Sequence, residues 1–207
     1  MLSYLVVTAI GYLLGSFPSG YVVGRMRGMD VRQWGSGSLG GTNVLRSAGP
    51  WAAILVVLGD VAKGVLAVFV ARALISSPSA EVLAGLAAIL GHDFSIFVTF
   101  SGGRGVATTL GALGALCFPA AIILALLALL VVAVSRYASL GSLTVATLMP
   151  CAMLYLVLLA SKPVWYLVYG LAAGILIVVL HRGNIQRLLA GTERKIGMKG
   201  EKREGVL

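Results

Sequence analysis

The chain of 207 residues is 59% hydrophobic and only 11% charged, with a net charge of +9 and a mean hydropathy of +0.99. A soluble domain needs roughly a quarter of its residues charged to cover its surface, so this composition excludes one and demands lipid around much of the exterior. A helical span takes about 20 apolar residues, which leaves room for roughly six or seven spans and no separate soluble domain.

Apolar stretches fall at about 3–24, 50–75, 80–98, 105–117, 118–135, 139–160 and 164–181. The first begins without a basic start and continues past Leu14, which predicts a span rather than a cleaved leader. Between the first two lies the longest polar break, 25–49, rich in Gly and Ser and carrying Arg25, Arg27, Arg32 and Arg46. Asp60 and Lys63 sit inside the second stretch three residues apart, a spacing at which intramembrane ions partner each other and face the protein interior. Phe118-Pro119 interrupts the run from 105 to 135, and proline blocks helical hydrogen bonding there. Cys117 and Cys151 lie in apolar stretches and read as small core residues. Residues 1–197 form one transmembrane domain on this reading, and 198–207 a basic, disordered tail.

The break at Pro119 sets the topology. One helix over 105–135 would put Arg104 and Arg136 on opposite faces; a short pair of helices puts both on one face and makes seven spans. With seven, Arg25, Arg27, Arg32, Arg46, Arg104, Arg136 and the basic tail share one side, and only Arg72 and Lys162 fall on the other. Lys and Arg mark the cytoplasmic side, so the expected fold is an all-α integral membrane bundle of seven transmembrane helices, some short. Its N-terminus lies outside, its C-terminus in the cytoplasm, and its active site at the cytoplasmic face. The same rule accounts for the basic surplus without a nucleic-acid partner.

Four polar clusters then share that face. The first is Gly35-Ser36-Gly37-Ser38-Leu39-Gly40-Gly41-Thr42-Asn43, followed by Arg46. Glycine at this density lets successive N–H groups converge on an anion. The second, Gly91-His92 and then Ser101-Gly102-Gly103-Arg104-Gly105-Val106-Ala107-Thr108-Thr109, leads into a helix whose free N–H groups attract phosphate, and Arg104 adds a forked cationic donor. The third is Arg136-Tyr137-Ala138-Ser139-Leu140-Gly141-Ser142, and the fourth runs from His181 through Asn184 to Glu193. The sequence holds no HEXXH, CxxC or carboxylate cluster for a metal, no GxSxG elbow and no Walker A spacing. Positions 97 and 186 are Phe and Gln, so neither histidine starts an HxxxxD acyltransferase motif.

At these clusters the chain resembles the PlsY family, bacterial inner-membrane acyl-phosphate:glycerol-3-phosphate acyltransferases. The family's signature loops read approximately GSGNxGATNxxR, GGKGVAT and HRxNIxRLxxGxE. The matching stretches here are GSGSLGGTNVLR at 35–46, GGRGVAT at 102–108 and HRGNIQRLLAGTE at 181–193. GSFPSGYVVGR, DVAKG, LGHDFSIFVTFSGGRG and RYASLGS match between and beside them. Ser38, Gly41 and Arg104 stand where the family usually has Asn, Ala and Lys, and Arg for Lys changes the geometry of a close phosphate site.

The resemblance implies transfer of a fatty acyl group from acyl phosphate to the sn-1 hydroxyl of glycerol 3-phosphate, giving lysophosphatidic acid and phosphate, the first acylation of phospholipid biosynthesis. It implies no cofactor, no metal and a place in the bacterial inner membrane; a monomer is a separate expectation. Acyl phosphate is already activated, so alignment and charge stabilisation carry most of the catalysis. Arg46 and Arg104 are the expected phosphate ligands, with Ser36, Gly37, Gly40, Thr42, Asn43, Gly102 and Gly103 shaping the loops. Ser139 and Ser142 are expected to contact acyl phosphate, and His181 and Asn184, with Glu193 beside them, to orient hydroxyl or phosphate. The family is thought to let acyl phosphate take the proton, and His181 as a base is the rival. A small anion transporter is the alternative function, but it would place such loops near the midplane and show inverted repeats.

Overall fold

The structure, a computed structural model, describes residues 1–203. Ten α-helices build it: α1 Leu2–Ser16, α2 Ser19–Met26, α3 Gly41–Ala48, α4 Pro50–Ile75, α5 Pro78–Asp93, α6 Val106–Leu116, α7 Phe118–Ser135, α8 Ala138–Leu159, α9 Val164–Leu180 and α10 Arg182–Leu189. Phe17-Pro18 breaks the first apolar stretch into α1 and α2, which together make one candidate span. With α4, α5 and its short extension, α7 and α8, five helices are long and apolar enough to cross a membrane. A bent pair, α9 and α10 at 59°, makes up to six.

The run 105–135 is two helices, as the proline predicts. Cys117 is extended, and Pro119 sits in the first turn of α7, where its missing N–H costs nothing. At 11 residues, α6 is about 16 Å long, roughly half the thickness of a hydrocarbon core. Protein covers it instead. A side chain at Gly111 would strike the backbone of Val61, and one at Gly64 the backbone of Thr108, so α4 and α6 touch backbone to backbone. Small residues drive such contacts where lipid gives helices no hydrophobic push. Gly11 and Gly15 of α1 meet Ala84 and Ala88 of α5 in the same way.

The main core gathers Val68, Leu113, Met149, Met153 and Tyr169 from α4, α6, α8 and α9, and Tyr169 Oη donates to Thr109 O at 2.7 Å. Ile122, Ile123, Leu126, Leu129, Leu130 and Val134 leave α7 exposed, as a lipid-facing helix requires. At one end of the bundle, Tyr4 meets Ser77 in the α4–α5 turn and Ser79 in the first turn of α5, and Arg72 pairs with Glu81 at 2.8 Å while donating to Ala115 O. The four polar clusters lie at the other end.

Candidate active site

The Gly-rich first loop folds around one side chain. Asn43 Nδ2 donates to the carbonyls of Val31, Trp34 and Ser38 at 3.1, 3.1 and 2.9 Å, and Asn43 Oδ1 accepts Ser36 N–H at 2.9 Å. Asn43 therefore spends its carboxamide on loop shape. Gly35 and Gly37 have φ of +57° and +76°, values open to glycine at little cost. The loop ends at Gly40, the N-cap of α3. The N–H groups of Gly41 and Thr42 have no acceptor among the described residues, which suits an anion at the helix start. Ser36 and Thr42 are exposed. One turn on, Arg46 Nη2 donates to Arg194 O at 2.8 Å, while its Nε is buried without a partner.

The second loop is hung on the end of α5. Gly102 and Gly103 N–H donate to the carbonyls of Asp93 and His92, both at 3.1 Å, and Gly102 O accepts Leu39 N–H at 3.2 Å, which joins the first two clusters. A side chain at Gly103 would overlap the His92 ring. Gly105, at φ +68°, caps α6 and carries the chain from Arg104 into the helix.

The third and fourth clusters meet at Glu193. Its carboxylate accepts Ser139 Oγ at 2.8 Å, Asn184 Nδ2 at 2.7 Å and Arg187 Nε at 2.8 Å. Asn184 Oδ1 is buried and unpartnered. Ser142 Oγ bonds back to Ala138 O at 3.1 Å in its own helix. His181 is buried, and its Nδ1 lies 2.8 Å from Ile177 O. A carbonyl can only accept, so Nδ1 carries a proton and neutral His181 offers Nε2 as an acceptor.

Arg187 pairs with this carboxylate, and Arg46 and Arg104 lie near enough to feel its charge. Burial draws Arg104 below its ordinary value, and Arg187 and Arg46 do so further against the pull of Glu193. Arg46 is lowered by burial too, with Glu193 opposing and Arg194 and Arg187 adding to it. Charges that repel in a half-buried site call for an anion. The structure thus brings Arg46, Arg104, Ser139, Asn184 and Glu193 to one end. Gly37 faces Arg203 of the tail.

Beneath the second loop lies a buried cluster. Lys63 Nζ contacts Asp60 Oδ1 at 2.9 Å, the pair that the sequence predicts, and also Phe17 O at 3.1 Å and His92 Nδ1 at 2.7 Å. The sequence groups His92 with the second loop but does not pair it with Lys63, which lies 29 residues away. Among the described residues no group of three or more His, Cys, Asp or Glu could hold a metal.

A family model described as Glycerol-3-phosphate acyltransferase matches residues 5–191. The chain belongs to that family. It is 43% identical over 202 residues to a glycerol-3-phosphate acyltransferase of Synechococcus sp. strain CC9902, covering 97% of this chain and 99% of the other. It is 46% identical over 196 residues to glycerol-3-phosphate acyltransferase 2 of Moorella thermoacetica, covering 94% and 98%. The crystal structure of PlsY (YgiH), an integral membrane glycerol 3-phosphate acyltransferase, in its glycerol 3-phosphate form matches with a TM-score of 0.85 at 38% identity, over 94% of this chain and 96% of that one. Its lysophosphatidic acid form matches with a TM-score of 0.84 at 37% identity.

Proposed function

We propose that this protein transfers an acyl group from acyl phosphate to the sn-1 hydroxyl of glycerol 3-phosphate, giving lysophosphatidic acid and phosphate. The observation that carries the reading is the charge arrangement. Arg46, Arg104, Arg187 and Arg194 gather near the carboxylate of Glu193, leaving an excess of positive charge for a phosphate dianion. The names of the relatives agree, as do neighbours solved with glycerol 3-phosphate and lysophosphatidic acid.

In this reading Arg46 and Arg104 hold the phosphate of glycerol 3-phosphate, supported by the N–H groups at the start of α3. Neutral His181 and Asn184 Oδ1 accept hydrogen bonds from the glycerol and orient its attacking hydroxyl. That oxygen adds to the acyl carbonyl carbon, and the bond from that carbon to the phosphate oxygen breaks. The departing phosphate takes the hydroxyl proton, so no side chain need be reprotonated. The acyl chain lies in the apolar lateral groove between α3 and α4, which runs from Gly41 and Thr42 past Ala53, Ile54 and Val57. The bundle crosses the bacterial inner membrane seven times as a monomer, counting α6 as a short crossing, with its N-terminus outside and the site in the cytoplasm. A transporter reading fits less well, because the four clusters lie at one end rather than at the midplane.

The test offers purified protein in lipid acyl phosphate, acyl-CoA or acyl carrier protein thioester with glycerol 3-phosphate, each with and without chelator. Lysophosphatidic acid should form from acyl phosphate regardless of chelator; preference for a thioester or loss on chelation would sink the reading.

A further inference from the structure

After Glu193 the chain runs back across the site. Ile196 N–H donates to Arg136 O at 2.7 Å, and Arg136 Nη2 donates to Ile196 O at 3.0 Å. This fastens the segment to the α7–α8 junction. It then reaches the first loop. Gly200 N–H donates to Arg46 O at 3.1 Å, Glu201 O accepts Gly35 N–H at 2.9 Å, and Arg203 N–H donates to Gln33 O at 2.7 Å. Trp34 and Lys202 form an antiparallel bridge.

These bonds converge on Arg46. Its carbonyl is held by Gly200, and its guanidinium Nη2 by Arg194 O. With Nη2 so fixed, the buried, unpartnered Nε is left as a free donor edge. The same segment holds Gly35, one of the two left-handed glycines of the loop. A glycine-rich loop has many conformations to lose on binding an anion. Main-chain bonds to a second segment meet that cost before substrate arrives.

We propose that residues 194–203 are a positioning strap for the glycerol 3-phosphate site, presetting Arg46 and the first loop through main-chain hydrogen bonds. The role rests on the reading of Arg46 as a phosphate ligand; the placement of the strap does not. Because the bonds to the first loop use the strap's backbone, the strap needs its N–H groups and carbonyls, while the charges of Lys199, Lys202 and Arg203 are incidental to it.

The test compares full-length protein in lipid with Gly200→Pro, with a deletion of residues 198–207, and with the triple variant Lys199→Gln, Lys202→Gln, Arg203→Gln. Gly200→Pro and the deletion should raise KM for glycerol 3-phosphate at least about tenfold, the scale of one hydrogen bond to a charged group. Their kcat and their KM for acyl phosphate should stay within about threefold. The triple variant should stay within about twofold throughout. Wild-type KM in both backbone variants would overturn the strap, as would a triple variant that reproduces their loss. A second measurement is independent of activity. With Cys117 and Cys151 replaced by Ala, the pair Trp34→Cys and Lys202→Cys should cross-link on mild oxidation in the membrane. Failure to cross-link would overturn the placement. Cross-linking in a protein inactive toward these substrates would count against acyl transfer and for the strap.

Discussion

Asn184 Nδ2 donates to Glu193 Oε1 at 2.7 Å, and that bond decides which end of the carboxamide faces the site. Oδ1 is the free end, buried and without a partner, so Asn184 presents an acceptor. Asn184→Asp keeps that acceptor but sets a second carboxylate against Glu193. It should lose at least as much kcat/KM as Asn184→Ala, about 10- to 100-fold. A near wild-type aspartate variant in steady-state assays would refute this role.

Glu193 gives the site a pH limit. Burial pushes its carboxyl up, but hydrogen bonds from Asn184, Ser139 and Arg187 outweigh that and hold it below its usual value. Its contribution to stability is therefore present above the ordinary carboxylate range and is lost as pH falls through the lowered value. In thermal unfolding in detergent, buried, neutral His181, its pKa lowered by burial to about 4, should give a first loss of stability as pH falls below the ordinary histidine range. Glu193 should add a second acid limb below about pH 5. Glu193→Gln should flatten that acid limb while costing about 1.5–3 kcal/mol at neutral pH. An unchanged acid limb in the Gln variant would show that another group controls it.

Alanine at Arg46 or Arg104 should cost about 1.5–3 kcal/mol in kcat/KM, or roughly 10- to 100-fold, with insertion and purification unchanged. Arg104→Lys should retain substantial activity, since an ammonium supplies the point charge without the fork. A dead, well-folded lysine variant would mean that the loop has been rebuilt around the guanidinium.

Gly103→Ala should abolish most activity, because its new methyl would overlap the His92 ring on which the second loop rests. Gly114→Ala is the control, with Ala121 Cβ at an ordinary 3.8 Å. Equal activity in the two would show that the loop does not depend on that contact.

Residues 104 and 137 should label from the same, cytoplasmic side when cysteine is introduced at each in turn into a chain lacking Cys117 and Cys151. Labelling from opposite sides would mean an odd number of crossings over 105–135.

The helices were legible where the chain carries strong punctuation. Pro119 marks the α6–α7 break, and Phe17-Pro18 marks a break that the sequence reading ran through as one span. The bend between α9 and α10 has neither Gly nor Pro at His181-Arg182, and only the end of the apolar run at 181 marks the place. Arg104 could be named because glycines flank it, and Arg46 because it follows a Gly-rich loop, both places where phosphate chemistry wants a cation. The role of Asn43 as the loop's own hub needed the fold, since its acceptors lie up to 12 residues away. The tail is the least legible part. It has no apolar periodicity, so the sequence suggests disorder over 198–207, whereas residues 198–203 run along the first loop through backbone bonds that no side-chain pattern encodes. Residues 204–207 lie outside the described residues.

The most direct test of the whole account is a coupled measurement of both products. Purified protein in lipid, given acyl phosphate and glycerol 3-phosphate, should form lysophosphatidic acid and release phosphate one for one. Both rates should fall together in the alanine variants of Arg46 and Arg104. Phosphate release that does not need glycerol 3-phosphate, or no lysophosphatidic acid from a well-folded protein, would contradict it.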